Sequence, residues 1–348
     1  MFLRNCWYVA AWSDELGEEP LARTLLNEAV VLFRGRDGAP AALEDRCCHR
    51  ALPLSLGTVE EGGLRCAYHG LLFDRRGACV EVPGQVRVPP GGAVRSYSLV
   101  ERAGWVWIWM GEQAPDESLL PDWWWMDHPD WKTVPGNGGT PLYSRCAHRL
   151  IVDNLLDLSH LAFVHADTIG NDEITRFPCR TERAGRSVRM ERLMPAVEPP
   201  PFYKAAGGFA GKVDRWQAVE AMLPCHVDVD VGCTEIGRGA LDGDRVQGTA
   251  FHVPNCPTPE TGRTTHHFYA HTRLFGIDSA ELDEVFRTDF LRVFREDLEI
   301  MEAQQRVFDS RPDAKLVDIN VDAPALAFRR MREEALERED GAERETAA

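Results

Sequence analysis

The sequence predicts an α+β fold, because two β-rich regions precede one long helix instead of alternating with helices. Residues 1–110 and 185–275 contain short apolar runs divided by turns that are rich in glycine and proline. A helical pattern then extends from about Ser279 to Phe308. Asp278 or Ser279 is the expected N-cap, and acidic residues in the first turn suit the helix dipole.

The strand candidates are runs of aromatic and β-branched residues. In WVWIWM (Trp105–Met110) the tryptophans are expected to belong to a core and not to a binding site. The other expected strands are Val30–Arg34, Leu71–Asp74, Ser187–Leu193, Trp216–Leu223, His226–Val231 and His266–Leu274. Loops are expected at Ala196–Pro201 and Pro254–Thr261.

A segment rich in proline, glycine and tryptophan, residues 115–141, is predicted to connect two domains. The expected organisation is an N-terminal domain over 1–135, a second domain over 136–328 and a charged tail over 329–348. The tail is predicted to be a solvated helix that frays into disorder.

The composition excludes several functional classes. The 348 residues are 44% hydrophobic and 27% charged, as in globular proteins, and the formal charge of −16 argues against a nucleic-acid partner. No run approaches the roughly 18 apolar residues of a membrane span. The N-terminus lacks the features of a signal peptide, so a reducing cytoplasm is expected, where cysteine and histidine clusters more often hold metals than form disulfides.

Cys47, His49, Cys66 and His69 form the pattern C-x-H-x16-C-x2-H. Two loops that each provide one cysteine and one histidine are the ligand set of a Rieske [2Fe–2S] cluster. A structural zinc site is the alternative, but zinc motifs pair like ligands, whereas each half here is mixed. Because two ligands are neutral, such a cluster has a higher reduction potential than an all-cysteine ferredoxin and can accept electrons from one.

The stretch Asn154–His165, NLLDLSHLAFVH, places an amide, a carboxylate and two imidazoles among apolar residues. Buried polar groups need partners, which are either a metal ion or one another within a core helix. On a regular helix His165 lies ~140° from His160. Both can reach one ion only if the helix ends or loosens near Phe163–His165, for which a π-bulge is a candidate.

The long helix offers a third ligand, because Asp297 lies in its apolar stripe seven residues after Phe290. A carboxylate there needs a cation, and Arg215 or Arg273 is the alternative to a metal. The neighbouring Glu296 and Glu299 are expected on the polar side of the helix.

Two histidines and this carboxylate would form a triad suited to a non-haem Fe(II) that binds O2. Its members would be His160, His165 and Asp297. Asp157 would then orient a ligand histidine through a hydrogen bond.

The two constellations together resemble the oxygenase component of the Rieske non-haem iron oxygenases, over about residues 1–310. The chain is similar to the branch that contains vanillate O-demethylase, toluenesulfonate methyl-monooxygenase and dicamba demethylase. The blocks that carry this resemblance are NCWYVAAW, DNLLDLSH, VDRWQ and TPETGRTTHHF.

The resemblance implies an antiparallel β Rieske domain and a catalytic domain whose curved antiparallel sheet grips helices. It implies one Rieske [2Fe–2S] cluster and one mononuclear Fe(II) per chain, in a head-to-tail homotrimer. Asp157 would link the mononuclear iron of one subunit to a Rieske histidine, His69, of its neighbour, with Asn154 in support. A separate NAD(P)H-dependent reductase with flavin and an iron–sulfur centre would supply electrons, which agrees with the absence of G-x-G-x-x-G from this sequence.

The activity implied is O2-dependent hydroxylation of an aromatic substrate, namely O-demethylation of a methoxybenzoate-like acid. The alternatives are ring or diaryl-ether dioxygenation, methyl hydroxylation of an aromatic acid or sulfonate, and an electron carrier with a degenerate second domain. By the same resemblance, Asn255 is a candidate for substrate contact, with His252 and His266 nearby.

Overall fold

The computed structural model describes residues 1–346, so the last two residues of the expected tail, 347 and 348, lie outside it. The chain forms two compact units. The first unit ends at Leu120, before the boundary expected at residue 135. Its members are Phe2–Leu120 and Thr258–Gly262, and those of the second are Met1, Pro121–Pro257 and the residues from Arg263 onward.

The first unit contains three small antiparallel sheets. Its strands are β1 (Trp7–Trp12), β2 (Leu21–Leu25), β3 (Glu28–Arg34), β4 (Pro40–Glu44), β5 (Thr58–Glu60), β6 (Gly63–Arg65), β7 (Leu72–Phe73), β8 (Cys79–Glu81), β9 (Ser96–Tyr97), β10 (Leu99–Arg102) and β11 (Trp105–Trp109). The sheet orders are β1-β11-β10, β2-β3-β4-β9 and β5-β6-β7-β8. The tryptophans of β11 are buried, so the prediction that they belong to a core is confirmed.

The second unit is organised around one eight-stranded, mostly antiparallel sheet. Its strands are β12 (Lys132–Pro135), β13 (Leu142–Ser144), β14 (Arg180–Ala184), β15 (Ser187–Val197), β16 (Val213–Met222), β17 (His226–Glu235), β18 (Phe251–Pro259) and β19 (Thr265–Arg273). Their order is β12-β19-β18-β17-β16-β15-β14, and β13 also pairs with β19. The α+β fold class predicted from the sequence is confirmed.

Two expectations about irregular segments are wrong. The predicted loop at Pro254–Thr261 overlaps β18, which pairs with β17 through Phe251–Asn255. Proline cannot donate to a sheet ladder, and for this reason three prolines in the segment favoured a loop. The predicted connection over 115–141 contains β12, which pairs with β19.

Five helices complete the described chain: α1 (His148–Leu156), α2 (Leu161–Val164), α3 (Pro201–Gly207), α4 (Ala280–Ser310) and α5 (Ala323–Thr346). The long helix predicted from the sequence is α4, and the Ser279 hydroxyl accepts a hydrogen bond from the Leu282 amide as its N-cap. α3 begins within the predicted loop at Ala196–Pro201. In α5 Met331 is buried, so the region expected to be a solvated tail also packs against the protein.

None of the helices in residues 1–346 has the length and apolar character needed to cross a membrane.

Candidate metal centres

The loops that carry the cysteine–histidine pairs share one backbone design. The Cys47 amide donates to the Leu52 carbonyl, and the Cys66 amide donates to the Leu71 carbonyl five residues on in the same way. In each loop the residue four positions after the cysteine donates back to the cysteine carbonyl, and it has a positive φ, 55° at Ala51 and 74° at Gly70. The positive φ reverses the direction of the backbone, so each loop turns sharply after its histidine.

The two loops bring the four predicted ligands together. Cys47 and Cys66 are buried in the core between the small sheets, whereas the rings of His49 and His69 are exposed, with centroids 4.5 Å apart. Burial raises the pKa of the Cys47 thiol to about 11, so its thiolate form requires a cation nearby. Two inward thiols and two outward imidazoles fit a [2Fe–2S] cluster whose histidine-bound iron lies at the protein surface.

The second predicted ligand set begins where helix α1 is interrupted. α1 ends at Leu156, and Asp157 has an extended backbone with φ −121° and ψ 92°. The Asp157 carboxylate accepts hydrogen bonds from the Ser159 amide, at 2.9 Å, and from its hydroxyl, at 2.5 Å, which begins a new turn. α2 then ends at Val164, as expected, but a capped break at Asp157 takes the place of a π-bulge.

Close packing fixes the chain that follows this break. The Gly170 amide donates to the His165 carbonyl at 2.9 Å. A Cβ atom at position 170 would lie 1.8 Å from the Leu161 carbonyl oxygen, so only glycine allows this approach. The turn after α2 is thereby held against α2, and His165 directly follows this helix.

His160, His165 and Asp297 converge, as the sequence predicts. One carboxylate oxygen of Asp297 lies 3.3 Å from Nε2 of His160 and 3.0 Å from Nε2 of His165. The ligand atoms of the three residues all lie within 4.8 Å of one another. Neither Arg215 nor Arg273 forms an ion pair with Asp297 in the described part of the chain, and Arg273 instead pairs with Asp283 at 2.6 Å.

Both imidazoles are oriented with Nε2 toward Asp297. Nδ1 of His160 lies 2.5 Å from the backbone carbonyl of Asp157, and Nδ1 of His165 lies 2.8 Å from the Glu296 carboxylate. An acceptor at Nδ1 holds the proton there and leaves the Nε2 lone pair for a metal. Two Nε2 atoms and one carboxylate oxygen on one side of a buried site are the donor set of a 2-His-1-carboxylate iron centre.

The electrostatics of the three groups are strongly coupled. Burial alone would lower the pKa of His165 and raise that of Asp297. Hydrogen bonds with His160 and His165 outweigh burial at Asp297, so the pKa of Asp297 lies well below its usual range. Hydrogen bonds with Asp297 and Glu296 and their opposite charges outweigh burial at His165, so the pKa of His165 is raised. The carboxylate is therefore fully ionised and available as an anionic ligand.

Asn154 and Glu296 both lie close to the triad, but the sequence predicts a role at the metal centre only for Asn154. Asn154 donates to the Asp297 carboxylate at 3.2 Å, which agrees with its predicted supporting role. Glu296 was expected on the polar side of α4, but its carboxylate reaches His165. No periodicity distinguishes Glu296 from Glu299, because the distinction depends on where α2 lies against α4.

A cavity with about 590 Å³ of open space lies against the triad. Leucine, valine and phenylalanine side chains form most of its lining. Its polar residues besides the triad are Asn154, Tyr203, Arg215, Gln217 and His271. A mostly apolar lining with a few polar groups is typical of a site for a small aromatic ligand.

The three predicted substrate-contact residues do not line this cavity. Asn255 is buried and accepts a hydrogen bond from His267 at 2.9 Å. His252 pairs with Asp228 at 2.8 Å and stacks on Trp125, and His266 lies beside Tyr143. The alternation of side chains along β18 and β19 places His252 and His266 on the face opposite to Phe251, Val253 and His271, which line the cavity. Asn255 shares the face of Phe251 and Val253 but lies further along β18, where it bonds to His267.

Comparison with known proteins identifies the family. The Rieske [2Fe–2S] domain family matches residues 6–98, and the C-terminal domain family of the vanillate O-demethylase oxygenases matches residues 144–338. The chain belongs to the Rieske non-haem iron oxygenases. Its cofactors are accordingly a Rieske [2Fe–2S] cluster and a mononuclear iron, and both donor sets described above fit them.

Relatives of this Rieske oxygenase match nearly its whole length. The iron–sulfur subunit of the toluene-4-sulfonate monooxygenase system of Comamonas testosteroni is 39% identical over 98% of this chain and 99% of its own. The vanillate O-demethylase oxygenase subunit of a Pseudomonas strain is 38% identical over 95% and 94%. The crystal structure of dicamba monooxygenase bound to dicamba superposes with a TM-score of 0.88 at 31% identity, over 98% and 99% of the two chains.

These relatives are components of multicomponent systems. The protein is therefore an oxidoreductase, the oxygenase component of a system in which a separate reductase supplies electrons.

Proposed function

We propose that this oxygenase removes the methyl group of a methoxybenzoate-like aromatic acid. His160, His165 and Asp297 hold the mononuclear iron, and Cys47, His49, Cys66 and His69 hold the cluster. The observation that carries the proposal is the convergence of two oriented imidazoles and an ionised carboxylate on the wall of an apolar cavity.

The overall reaction balances with O2 and one two-electron donor. The methoxy group of the substrate, O2, NAD(P)H and a proton give a hydroxymethyl ether, water and NAD(P)+. The hydroxymethyl ether is a hemiacetal, whose C–O bond breaks to release a phenol and formaldehyde. The iron, when bound, supplies the activation of O2.

The side chains of the chain itself position the substrate and exclude water. Leu158, Val231 and Phe290 line the cavity beside the triad, so an aromatic ring can pack there with its methoxy carbon toward the metal-binding edge. An apolar lining also keeps bulk water from the reacting carbon. Glu296 and the Asp157 carbonyl hold the histidines in the tautomer that metal binding needs.

The proposal includes a route for electrons. A homotrimer with head-to-tail subunits would let Asp157 of one subunit connect its iron site to His69 of the next. In support, Asp157 adjoins His160 through its backbone carbonyl, and the His69 ring is exposed. The reductase would be NAD(P)H-dependent and carry flavin and an iron–sulfur centre.

The test is to assay the purified protein with a compatible reductase, NADH and a panel of methoxybenzoates. Formaldehyde and the matching phenol are expected in equal amounts. NADH and O2 consumption coupled to a ring cis-diol, without formaldehyde, would contradict demethylation.

Methyl hydroxylation of an aromatic sulfonate or acid is a second candidate. It is favoured by the 39% identity to a subunit of a toluene-4-sulfonate monooxygenase system. Both candidates hydroxylate a carbon attached outside the ring, and the same panel separates them: toluene-4-sulfonate would yield a benzylic alcohol in place of formaldehyde.

A further inference from the structure

Arg215 is a fully buried cation that lines the cavity without an anionic partner. Its Nη2 donates to the Ile169 carbonyl at 2.8 Å, and its guanidinium lies 5.1 Å from the centre of the Tyr203 ring. Nε and Nη1 have no hydrogen-bond partner within residues 1–341, and no carboxylate in that range forms an ion pair with this guanidinium. A buried, unpaired charge is costly, so the environment of Arg215 is incomplete without an anion.

Two other arginines of the second unit have carboxylate partners, whereas the buried Arg192 has none in the described residues, donates to Gln217 and does not line the cavity. Arg273 pairs with Asp283 at 2.6 Å, and Arg245 pairs with Glu191 at 2.7 Å and with Asp230 at 2.8 Å. Arg215 differs from these three arginines in that it lines the cavity.

Gln217 presents a second donor on the same face. It lies two residues after Arg215 on β16, so both side chains point to one side of the sheet. Nη1 of Arg192 donates to Oε1 of Gln217 at 2.9 Å, which fixes the amide with its NH2 group free. Nε2 of Gln217 is buried and has no acceptor in the described chain.

His271 is another polar residue of the cavity lining. Burial, with a contribution from Arg273, lowers the pKa of His271 to about 3, so the ring is neutral near pH 7. Neither ring nitrogen has a hydrogen-bond partner in the described residues, and the ring packs on Phe290 at 4.7 Å. A neutral imidazole can donate to a ring substituent or accept from one, but it adds no charge.

We propose that Arg215 and Gln217 form the subsite that holds the anionic group of the substrate, a carboxylate or sulfonate on an aromatic ring. The inference rests on the proposed function only in taking the occupant of the cavity to be the substrate. The guanidinium offers Nε and Nη1, and Gln217 offers Nε2, so the site contains donors that match the oxygens of one anion. Arg215 and Gln217 are then specificity-determining residues, in place of the candidates Asn255, His252 and His266.

The test compares ligands of equal shape and different charge in the absence of reductase. Calorimetry measures the Kd of 4-methoxybenzoate, 4-methoxybenzenesulfonate and uncharged 4-methoxybenzamide with the iron-loaded protein. The wild type is expected to bind at least one of the anions on the order of 100-fold more tightly than the amide. Which anion binds more tightly distinguishes a carboxylate subsite from a sulfonate subsite.

Arg215→Met is expected to abolish the preference for the anion while leaving amide binding within a factor of about three. Arg245→Met is the matched control, because Arg245 has its own carboxylate partners and does not line the cavity. It should keep the full preference.

Gln217→Glu is a second test of the subsite, for use if Arg215→Met does not fold. It keeps the shape of the side chain and the contact with Arg192, but it places a negative charge where the anion would bind, so anion affinity should fall by about tenfold or more.

The subsite is overturned if folded Arg215→Met or Gln217→Glu keeps the wild-type preference for the anion. It is also overturned if the wild type binds the anion and the amide equally well. Formaldehyde assays are independent of this result. A variant that loses the preference for the anion but still demethylates neutral ethers supports both proposals, because the subsite predicts this result. Absence of formaldehyde with intact charge preference overturns the demethylation alone.

Discussion

The two metal-binding regions place their imidazoles in opposite environments. In the first unit the thiols of Cys47 and Cys66 are buried while His49 and His69 are exposed. In the second unit His165 is 1% exposed and Asp297 is 8% exposed, and both lie against an apolar cavity. An exposed imidazole edge allows electrons to pass between proteins, whereas a buried centre keeps a reactive site from water. The difference shows which centre exchanges electrons and which performs the chemistry.

The largest expected effect comes from removing the carboxylate of the buried centre. Asp297→Ala leaves two histidines without an anionic ligand, so the mononuclear iron should be lost while the cluster stays. Metal analysis should fall from about three irons per chain to about two, and turnover should fall by ~1,000-fold or more. The visible absorption of the cluster is the internal control. Retention of about three irons per chain would show that Asp297 is not a ligand.

The next effect concerns the connection between the two centres. Asp157→Asn keeps the hydrogen bonds to Ser159 that begin the new turn, so both metals should remain. If the Asp157 carboxylate carries the electron route, oxidation of the reduced cluster in a single turnover should slow by ~10- to 100-fold or more. Cluster oxidation at the wild-type rate in this variant would exclude the role.

Sequence reasoning identified the ligands better than it identified their surroundings, for a physical reason. Cys47, His49, Cys66 and His69 stand close in the chain on two short loops, so their spacing alone encodes the site. Asp297 was found because a carboxylate interrupts an apolar stripe, which is a property of one helix.

The residues that were missed depend on packing between elements. Glu296 reaches His165 because α4 lies beside α2, and Arg215 faces the cavity because of the register of β16 in the sheet. No local pattern carries this information. The strand β18 was missed for a different reason, because its prolines locally favour a loop and tertiary pairing overrides that preference.

A smaller effect is expected from the group that orients a buried ligand. Glu296→Gln can still accept from Nδ1 of His165 but loses the negative charge, so iron affinity should fall by ~10- to 100-fold with the cluster unchanged. Glu299→Gln removes the same charge from an exposed position of α4 and is the matched control. Chelator competition measures both affinities. Equal affinities in the two variants would contradict an orienting role for Glu296.

The last prediction concerns stability and tests whether burial keeps an imidazole neutral in the second unit. Burial lowers the pKa of His267 to about 3, whereas an unfolded histidine titrates near ~6.5. Between these values the unfolded state binds one more proton than the folded state at this position. The contribution of His267 to stability is therefore fully present above pH ~6.5 and declines as the pH falls toward ~3.

In His267→Gln, the slope of the free energy of unfolding against pH should be smaller by about one proton in that window, about 1.4 kcal/mol per pH unit. Urea unfolding at several pH values measures the slope. Above pH ~6.5 the curves of the variant and the wild type should run parallel, since loss of the contact with Asn255 changes the level of stability and not its pH dependence. Parallel curves below pH ~6.5 as well would show that His267 is protonated in the folded protein.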